Sequence, residues 1–325
     1  MKVFMTGATG FVGSFLAERL VRANHEVKCL VRKQSNLQWI ADLDVECYYG
    51  SLTDPNSLIR GMQDCDLIYH VAGVTKARTT EEYFKGNYEG TKNIVDAALK
   101  LKNIKRFILV SSQTAVGPSP TIIPIDEKVE ANPITDYGRS KRAAEEYVLS
   151  VKDKMPITIV RPPAVYGPRD TDILEFFRTV KFGIIPQLGG KEKYLSLIHV
   201  RDLVRGIIMA AESEKAVGET YFITSREPYA WSEISRITLK ILQKRGFKIP
   251  IPIGVMKGIA WISEGISSLT QKPALVNKQK LIDMEQDFWT CAADKAPKEL
   301  GFGTEISLEN GIRETLIWYK EQKWL

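Results

Sequence analysis

The sequence lacks long apolar runs and dense basic clusters. No uninterrupted apolar stretch of about 20 residues occurs in the 325-residue chain, so no segment is predicted to span a membrane. The formal net charge is only +6 and no dense run of Lys and Arg is present, which argues against a nucleic-acid partner. A small anionic ligand is compatible with this balance.

Cysteine is also scarce. Cys29, Cys47, Cys65 and Cys291 have neither paired spacing nor neighbouring histidines, so the sequence predicts no disulfide framework and no metal site. The first predicted strand starts at Met1, which leaves no room for a secretory signal peptide. We therefore expect free thiols in a cytoplasmic protein.

The first half of the chain alternates short β-branched runs with helical patterns. The strands are predicted at 27–31, 45–49, 67–71, 107–111 and 157–160, and the helices at 11–23, 55–62, 81–101 and 135–151. This alternation predicts right-handed crossovers and an α/β fold with a parallel, doubly wound sheet. Such a sheet binds ligands at the carboxyl ends of its strands.

A glycine-rich turn lies between the first predicted strand and the first predicted helix. Glycine leaves no Cβ where the backbone must bend tightly and a ligand must approach. The helix that follows directs its free N–H groups and its positive dipole end at the same point. In this context the turn predicts a dinucleotide pyrophosphate site rather than a simple strand end. The predicted contacts are Gly7, Thr9, Gly10, Phe11, Val12 and Gly13.

The alternation ends after Arg161. Prolines and glycines follow, with a short helix predicted at 172–181, a helix at 200–211 and a strand at 220–224 that returns to the main sheet. The remainder is predicted to be mostly helical, with loops around 250–252 and Pro273. We expect a dinucleotide-binding domain of residues 1–165 plus 199–225, and a smaller substrate-binding lid of 166–198 plus 226–325.

Tyr137 and Lys141 lie four residues apart on a predicted helix, so both project from one face. A tyrosine has a pKa of about 10 in water, and a nearby ammonium group lowers it. Such a pair can donate a proton to a carbonyl or accept one from an alcohol. Taken alone, however, this spacing is common and favours a solvated helix face.

Together with the glycine turn, these residues resemble the extended short-chain dehydrogenase/reductase family. Further segments that resemble it occur in the family's order at 70–73, 87–91, 110–112, 160–168, 199–202 and 295–301. The resemblance covers nearly the whole chain and implies a Rossmann-like fold with a mostly helical lid. It also implies a homodimer, formed through the helices predicted at 81–101 and 135–151.

The resemblance also implies roles for single residues. Tyr137 would be the general acid/base, and Lys141 would hold the nicotinamide ribose and tune Tyr137. Ser112, five residues before Gly117, would hydrogen-bond the substrate oxygen. Ser111 is the alternative, interpreted as a strand-end hydroxyl satisfied by the backbone. Further cofactor contacts are expected at Val71, Ala72, Gly73 and Pro162, whereas Asn87 is expected to order its helix.

The cofactor type depends on the end of the second strand. NAD enzymes place a carboxylate there for the ribose hydroxyls, whereas a 2′-phosphate favours a cation. Arg32 and Lys33 follow Val31 with no carboxylate, and the planar guanidinium suits a phosphate. We therefore predict NADP(H), with NAD(H) as the alternative. Ser51-Leu52 stands where the family commonly has Asp-Leu, so weaker selectivity for adenine is expected.

The type of reaction is predicted from residues that other enzymes of the family carry and this chain lacks. Gln113-Thr114 stands where dehydratases of the family carry acids, and Ala164 and Leu195 stand where sugar-nucleotide epimerases have Asn and Arg. Lys191 and Lys193 remain as possible partners for a diphosphate. We predict an NADP-dependent oxidoreductase that acts on the ketone or secondary alcohol of a largely apolar small molecule. The alternatives are a nucleotide-sugar epimerase with tightly bound NAD and a non-catalytic dinucleotide sensor.

Apolar residues recur at helical spacing in the last third of the chain, at Val255, Ile259, Ile262, Ile266 and Leu269. The favoured interpretation is a helix packed on the lid core, and the second is a wall for an apolar substrate. A membrane-surface helix is the least favoured, since Lys257 and Glu264 do not form a strongly basic face.

Overall fold

The computed structural model describes residues 1–258, 261, 263 and 278–325. Its strands are β1 Lys2–Thr6, β2 Glu26–Val31, β3 Val45–Tyr49, β4 Leu67–His70, β5 Arg106–Val110, β6 Ile157–Arg161, β7 Ala164–Tyr166, β8 Ile184–Leu188, β9 Tyr194–Leu195, β10 Leu197–His199, β11 Thr220–Phe222, β12 Tyr229–Ala230, β13 Phe247–Ile251 and β14 Phe288–Trp289.

The helices of the described residues are α1 Phe11–Arg22, α2 Pro55–Met62, α3 Thr80–Tyr83, α4 Gly90–Ala98, α5 Asp136–Leu149, α6 Leu174–Lys181, α7 Val200–Glu212, α8 Trp231–Leu242, α9 Lys278–Glu285, α10 Lys295–Leu300 and α11 Leu308–Glu321. A π-helical segment, Phe84–Glu89, joins α3 to α4, and short 3₁₀ turns occupy Gln113–Ala115 and Glu214–Ala216. None of the described helices is long and apolar enough to cross a lipid bilayer.

Seven of the described strands form one parallel sheet in the order β11-β6-β5-β4-β1-β2-β3. This is the predicted doubly wound fold, and the strand order reverses between β1 and β4. Helices α1 and α7 pack on one face, while α2, α4 and α5 pack on the other. The carboxyl ends of β1, β4 and β5 therefore meet at one edge, where ligands bind in such sheets.

The helix predicted at 81–101 is divided into α3, the π-helical segment and α4. The π-helical segment carries Asn87, whose buried amide makes hydrogen bonds to Val74 and Ser140. Widened turns of this kind are frequent at functional sites. The uniform helical periodicity of residues 81–101 does not indicate this break.

The last third of the chain contains more strands than predicted. β12, β9 and β14 form one small sheet, and β13 pairs in parallel with β8. The predicted loop at 250–252 is therefore wrong at Pro250, which lies in β13 opposite Gln187. Proline is tolerated here because β13 has a neighbour on only one side. The strand predicted at 220–224 ends earlier, at Phe222, and the helix predicted from 172 starts at Leu174.

The predicted helix around 255–269 is described only in part. Residues 253–258 are helical, with Val255 exposed and Met256 buried. Ile259, Ile262, Ile266, Leu269 and Pro273 lie outside the described residues. The choice among the three interpretations of this helix therefore stays open at those positions.

Candidate active site

The glycine turn after β1 has no room for side chains. Gly7 has φ +77°, and a Cβ there would lie 2.6 Å from the backbone nitrogen of Ala72. A Cβ on Gly13 would lie only 2.0 Å from the carbonyl oxygen of Gly7. The turn is closed by a 3.0 Å hydrogen bond from Gly10 N–H to Gly7 O. These contacts require glycine at positions 7 and 13.

Helix α1 begins at Phe11, and its N-cap residue is Gly10, so no side chain caps its first turn. By contrast, α2 is capped by Asp54, α5 by Thr135 and α7 by His199. Uncapped N–H groups at a helix start, together with the positive end of the dipole, suit an anion. The first turn of α1 also lacks acidic residues, and Thr9, Phe11 and Val12 are partly exposed around it. The turn therefore fits a pyrophosphate.

The end of β4 is held against the glycine turn by a buried histidine. The His70 ring bonds Thr6 Oγ1 at 2.7 Å and Thr91 Oγ1 at 3.0 Å. Burial lowers the pKa of His70 to about 3, so the imidazole is neutral. Ala72 N–H in turn donates to Thr6 Oγ1 at 3.2 Å. Val71, Ala72 and Gly73 therefore run directly beside the turn, a placement that depends on contacts the sequence pattern did not reveal.

Ser112 and Tyr137 lie together beyond the end of β5. The Ser112 hydroxyl lies close enough to the Tyr137 phenol to lower its pKa. Ser112 Oγ also accepts hydrogen bonds from Thr114 N–H at 3.2 Å and from Thr114 Oγ1 at 2.9 Å. The Tyr137 ring packs on Tyr83, with centroids 6.1 Å apart. Two hydroxyl groups are therefore positioned to bind one substrate oxygen.

The pKa of Tyr137 is shifted in the direction opposite to the expected one. Burial raises it to about 12, although the Ser112 hydroxyl acts in the opposite direction. The carboxylates of Asp172 and Asp283 raise it further. The ammonium group of Lys141 donates to the carbonyl oxygen of Val110 at 2.8 Å, and its charge does not outweigh the effect of burial. The expected net lowering of this pKa is thus wrong.

Lys141 is buried beside the ends of β4 and β5. A Cβ on Gly73 would lie 3.8 Å from its Nζ. Burial lowers the pKa of Lys141 to about 8, and Glu145, one helical turn later, acts in the opposite direction. The side chain therefore lies beside Gly73 and Val110, and its contact with a ribose stays a prediction.

Sequence reasoning missed the ion pair beneath this lysine. Arg161 donates to both carboxylate oxygens of Glu145, at 2.9 and 2.6 Å. Both side chains are buried, with exposures of 4% and 0%. The pair ties the middle of α5 to the end of β6, immediately before Pro162. Glu145 lies four residues after Lys141 on the same helix, a spacing that was visible in the sequence.

Ser111 differs from its expected state. Its side chain is buried, and its Oγ has no hydrogen-bond partner in the structure. The backbone N–H of Ser111 bonds Val160 O at 2.7 Å, so the sheet uses the main chain and not the hydroxyl. The interpretation of Ser111 as a hydroxyl satisfied by the backbone is therefore wrong, whereas Ser112 is the serine whose hydroxyl lies near Tyr137.

The adenine side of the turn is formed by the ends of β2 and β3. Arg32 is exposed, and its backbone N–H is held by Ser35 Oγ at 3.0 Å. Its guanidinium makes no ion pair within the described part of the chain. Ser51 Oγ bonds Thr53 at both the hydroxyl and the N–H, while the Leu52 carbonyl accepts from Asn93 at 2.8 Å. A cation is therefore available here, and Ser51 already has local partners.

The opposite wall of the cleft comes from α9 and the segment after it. Gln279 bonds both the N–H and the carboxylate of Asp136, at 2.9 and 3.1 Å, and so docks α9 on the N-terminus of α5. Asp283 follows one turn later, and burial raises its pKa to about 7. Its carboxylate contributes to the raised pKa of Tyr137, so α9 borders this tyrosine.

A cavity of about 490 Å³ lies between this wall and the loops that flank the catalytic residues. Val116 lies four residues after Ser112, and Ile134 lies three before Tyr137. Apolar side chains supply much of its lining, namely Val116, Pro118, Ile125, Val129, Ile134 and Phe288. Neither Ser112 nor Tyr137 lines this cavity, and its lining also includes the acidic side chains of Glu130, Glu285 and Asp287.

The lysines considered for a diphosphate are already engaged. Lys193 Nζ lies 3.2 Å from Asp287 and donates to the backbone carbonyls of Glu285 and Gln286. Lys191 lies 3.7 Å from the same carboxylate. Because Asp287 lies beside both cations, their net positive charge toward a diphosphate is reduced.

Known proteins resemble this chain along its length. Residues 3–224 match the NAD dependent epimerase/dehydratase family. The ceramide reductase of Caulobacter vibrioides is 31% identical over 99% of this chain and 96% of its own. The 4-hydroxy-2-methyl-3-oxo-4-farnesyl-3,4-dihydroquinoline-1-oxide ketoreductase of Stigmatella aurantiaca is 29% identical over 96% and 95%. The crystal structure of gox2253 superimposes with a TM-score of 0.82 at 28% identity, covering 98% of both chains.

Proposed function

Because the chain belongs to the NAD-dependent epimerase/dehydratase family, and so is a nicotinamide-dependent oxidoreductase of the extended short-chain type, we propose that it is a ketone reductase or secondary-alcohol dehydrogenase. Its substrate is a largely apolar small molecule, and NADP(H) is its preferred cofactor. The observation that carries the proposal is the neighbouring hydroxyl groups of Ser112 and Tyr137, with the buried Lys141 one helical turn after Tyr137.

The residues at the site have different roles in the proposed reaction. A bound nicotinamide supplies or accepts the hydride. Ser112 and Tyr137 hold the substrate oxygen, and Tyr137 gives it a proton when a ketone is reduced. With its pKa raised to about 12, the phenol is protonated at neutral pH and ready to donate. A charged Lys141 stabilises the phenolate that remains, since an adjacent cation favours that form.

The preference for NADP(H) is supported by Arg32. Its exposed guanidinium follows β2, where a 2′-phosphate lies in this type of fold, and no carboxylate competes with it at 31–38. A planar guanidinium binds a phosphate through two parallel hydrogen bonds. NAD(H) is the alternative cofactor, as the description of the family allows.

The apolar substrate is supported by two features of the opposite wall. The cavity at this wall has apolar side chains such as Val116, Ile134 and Phe288 together with acidic ones in its lining, and Lys191 and Lys193 are paired with Asp287. Both features disfavour the sugar-nucleotide epimerase alternative, since a diphosphate needs cationic partners. Both relatives described above are named as reductases, one of them of ceramide.

The wider organisation belongs to the same proposal. Residues 166–198 plus 226–325 act as a lid over the dinucleotide-binding domain of 1–165 plus 199–225. Two copies pair through the helices at 81–101 and 135–151. The protein works in the cytoplasm, where its four free thiols stay reduced.

The test is the Tyr137→Phe variant, assayed by NADPH oxidation with a panel of long-chain ketones and oxosteroids. We expect kcat to fall by roughly 10²–10⁴-fold, because the proton donor is lost. The dissociation constant of NADPH, measured by fluorescence, stays unchanged. Tyr147→Phe, on the same helix but bonded to Asp96, is the matched control and keeps its activity. Substantial turnover by Tyr137→Phe contradicts the proposal, and a wild type that binds NADPH but reduces nothing favours the sensor alternative.

A further inference from the structure

One end of the β8–β13 pair presents two bare phenyl rings. Phe182 is 78% exposed and Phe247 is 76% exposed. They are neighbours, because Phe247 N–H donates to Gly183 O at 2.9 Å. We refer to residues 181–183 and 244–248 as the tip. Exposed aromatic side chains are normally scattered singly, so two together at one protruding end call for an explanation.

Cations surround the two rings. Lys244 Nζ donates to the carbonyl oxygen of Lys181 at 2.8 Å, which joins the two halves of the tip. A Cβ on Gly183 would lie 2.8 Å from Arg245 O, so Arg245 also borders the tip. Segments 178–189 and 243–258 contain no Asp or Glu, but they contain Arg178, Lys181, Lys244, Arg245, Lys248 and Lys257.

These charges are only partly compensated. Lys248 lies 3.9 Å from Glu192, and Lys257 lies 3.4 Å from Glu285. Arg245 makes no ion pair within the ranges that the structure describes. The tip therefore joins an apolar end to a net positive field, as surfaces that bind anionic lipid do.

Further exposed apolar side chains continue from the tip along β13 and beyond it. Ile249 is 43% exposed, Val255 52% and Trp261 73%. Tryptophan is enriched where proteins meet the headgroup region, because its ring has an apolar body and a polar N–H. A cavity of about 140 Å³ lies at the far end of the same strands, lined by Leu188, Ile253, Met256, Leu281 and Met284 among others.

We propose that the tip docks the protein on an anionic lipid bilayer, with Phe182 and Phe247 entering the headgroup region. Charge complementarity selects this partner over a second copy of the chain. In a symmetric dimer formed through the tip, identical cations would face one another and repel. The proposal goes beyond the reductase activity and does not depend on it.

The test is co-sedimentation of the full chain with vesicles of phosphatidylcholine, with and without phosphatidylglycerol. The wild type is expected to bind only the vesicles that contain phosphatidylglycerol, and binding is expected to weaken as salt is added. Arg245→Glu is expected to bind roughly thirtyfold more weakly, since it removes one attraction and adds one repulsion. Phe182→Ser combined with Phe247→Ser is expected to weaken binding at least about tenfold.

Two control variants change matched residues far from the tip in sequence. Ile123→Ser removes another apolar side chain that is 72% exposed, and Lys102→Glu reverses another exposed cation. Both are expected to bind vesicles like the wild type. All variants are expected to keep the wild-type melting temperature and the wild-type reduction of a water-soluble ketone.

Three results overturn the proposal. The first is a wild type that binds no vesicles or binds both kinds equally. The second is tip variants that bind as tightly as the wild type. The third is a fall in the molecular mass of the free protein on changing Phe182 and Phe247, which assigns the tip to contacts between copies. None of these results bears on the Tyr137→Phe test.

Discussion

Glu145→Gln probes the ion pair one helical turn after Lys141. Arg161 and Glu145 are almost fully buried and joined by two hydrogen bonds of 2.9 and 2.6 Å. Glutamine keeps the shape and one acceptor oxygen but removes the negative charge. The guanidinium is then buried without compensation, which costs about 3–5 kcal/mol of unfolding free energy.

The expected change in melting temperature follows from the chain length. An unfolding entropy of about 2.1 cal/mol/K per residue gives about 0.7 kcal/mol/K for 325 residues. The loss of 3–5 kcal/mol therefore lowers the melting temperature by about 4–7 °C. Differential scanning calorimetry of the two proteins at pH 7 measures this difference.

The neighbouring residue provides the control. Glu146 pairs with Arg142 at 2.8 Å, but its side chain is 59% exposed. Glu146→Gln is expected to cost about 0–1 kcal/mol, because water screens an exposed pair. Equal melting temperatures for Glu145→Gln and Glu146→Gln would refute the reasoning, since burial is the only large difference between the two carboxylates.

Three other variants test the site. Arg32→Ala should raise KM for NADPH by roughly 10- to 100-fold and leave KM for NADH nearly unchanged, while Lys33→Ala changes both little; equal effects on both cofactors would count against a phosphate contact. Gly13→Ala places a Cβ 2.0 Å from a carbonyl oxygen and should cost about 1–3 kcal/mol and weaken dinucleotide binding in calorimetry, unlike Gly303→Ala, which has open space. The pKa of Lys141 is lowered to about 8 in the folded protein. Between about pH 8 and 10.5 the unfolded chain therefore binds more protons at this residue than the folded protein does. The contribution of Lys141 to the unfolding free energy accordingly rises with pH across this range. The stability advantage of Lys141→Met over the wild type should therefore shrink by about 3 kcal/mol across that range, and a constant difference would exclude the shift.

Much of the fold was predictable because local patterns encode it. The main-sheet strands β2 to β6 lie within a residue or so of their predicted bounds, since short β-branched runs between helical patterns are typical of a buried parallel sheet. β13 was missed because Pro250 within it and Pro252 just after it resemble a loop, and only its pairing with β8 makes it a strand. The π-helical segment was missed because the contacts of its Asn87, to Val74 and Ser140, involve residues that are distant in sequence.

The candidate site divides in the same way. The spacing of Gly7, Gly10 and Gly13, and of Tyr137 and Lys141, is a local property that the sequence displays directly. Their roles toward a cofactor and a substrate stay predictions. The direction in which burial moves the pKa of Tyr137 could not be inferred from spacing, because burial depends on α9 and on the loops around the site.

By itself the sequence determined the order of strands and helices, the steric need for glycine after β1, and the family to which the chain belongs. Only the tertiary structure decided that Lys141 donates to Val110, that Glu145 is neutralised by Arg161, and that Phe182 lies beside Phe247. The physical reason is range: backbone sterics and periodicity act between near neighbours in the chain. Desolvation and charge pairing, in contrast, depend on which distant segments the folded protein brings into contact.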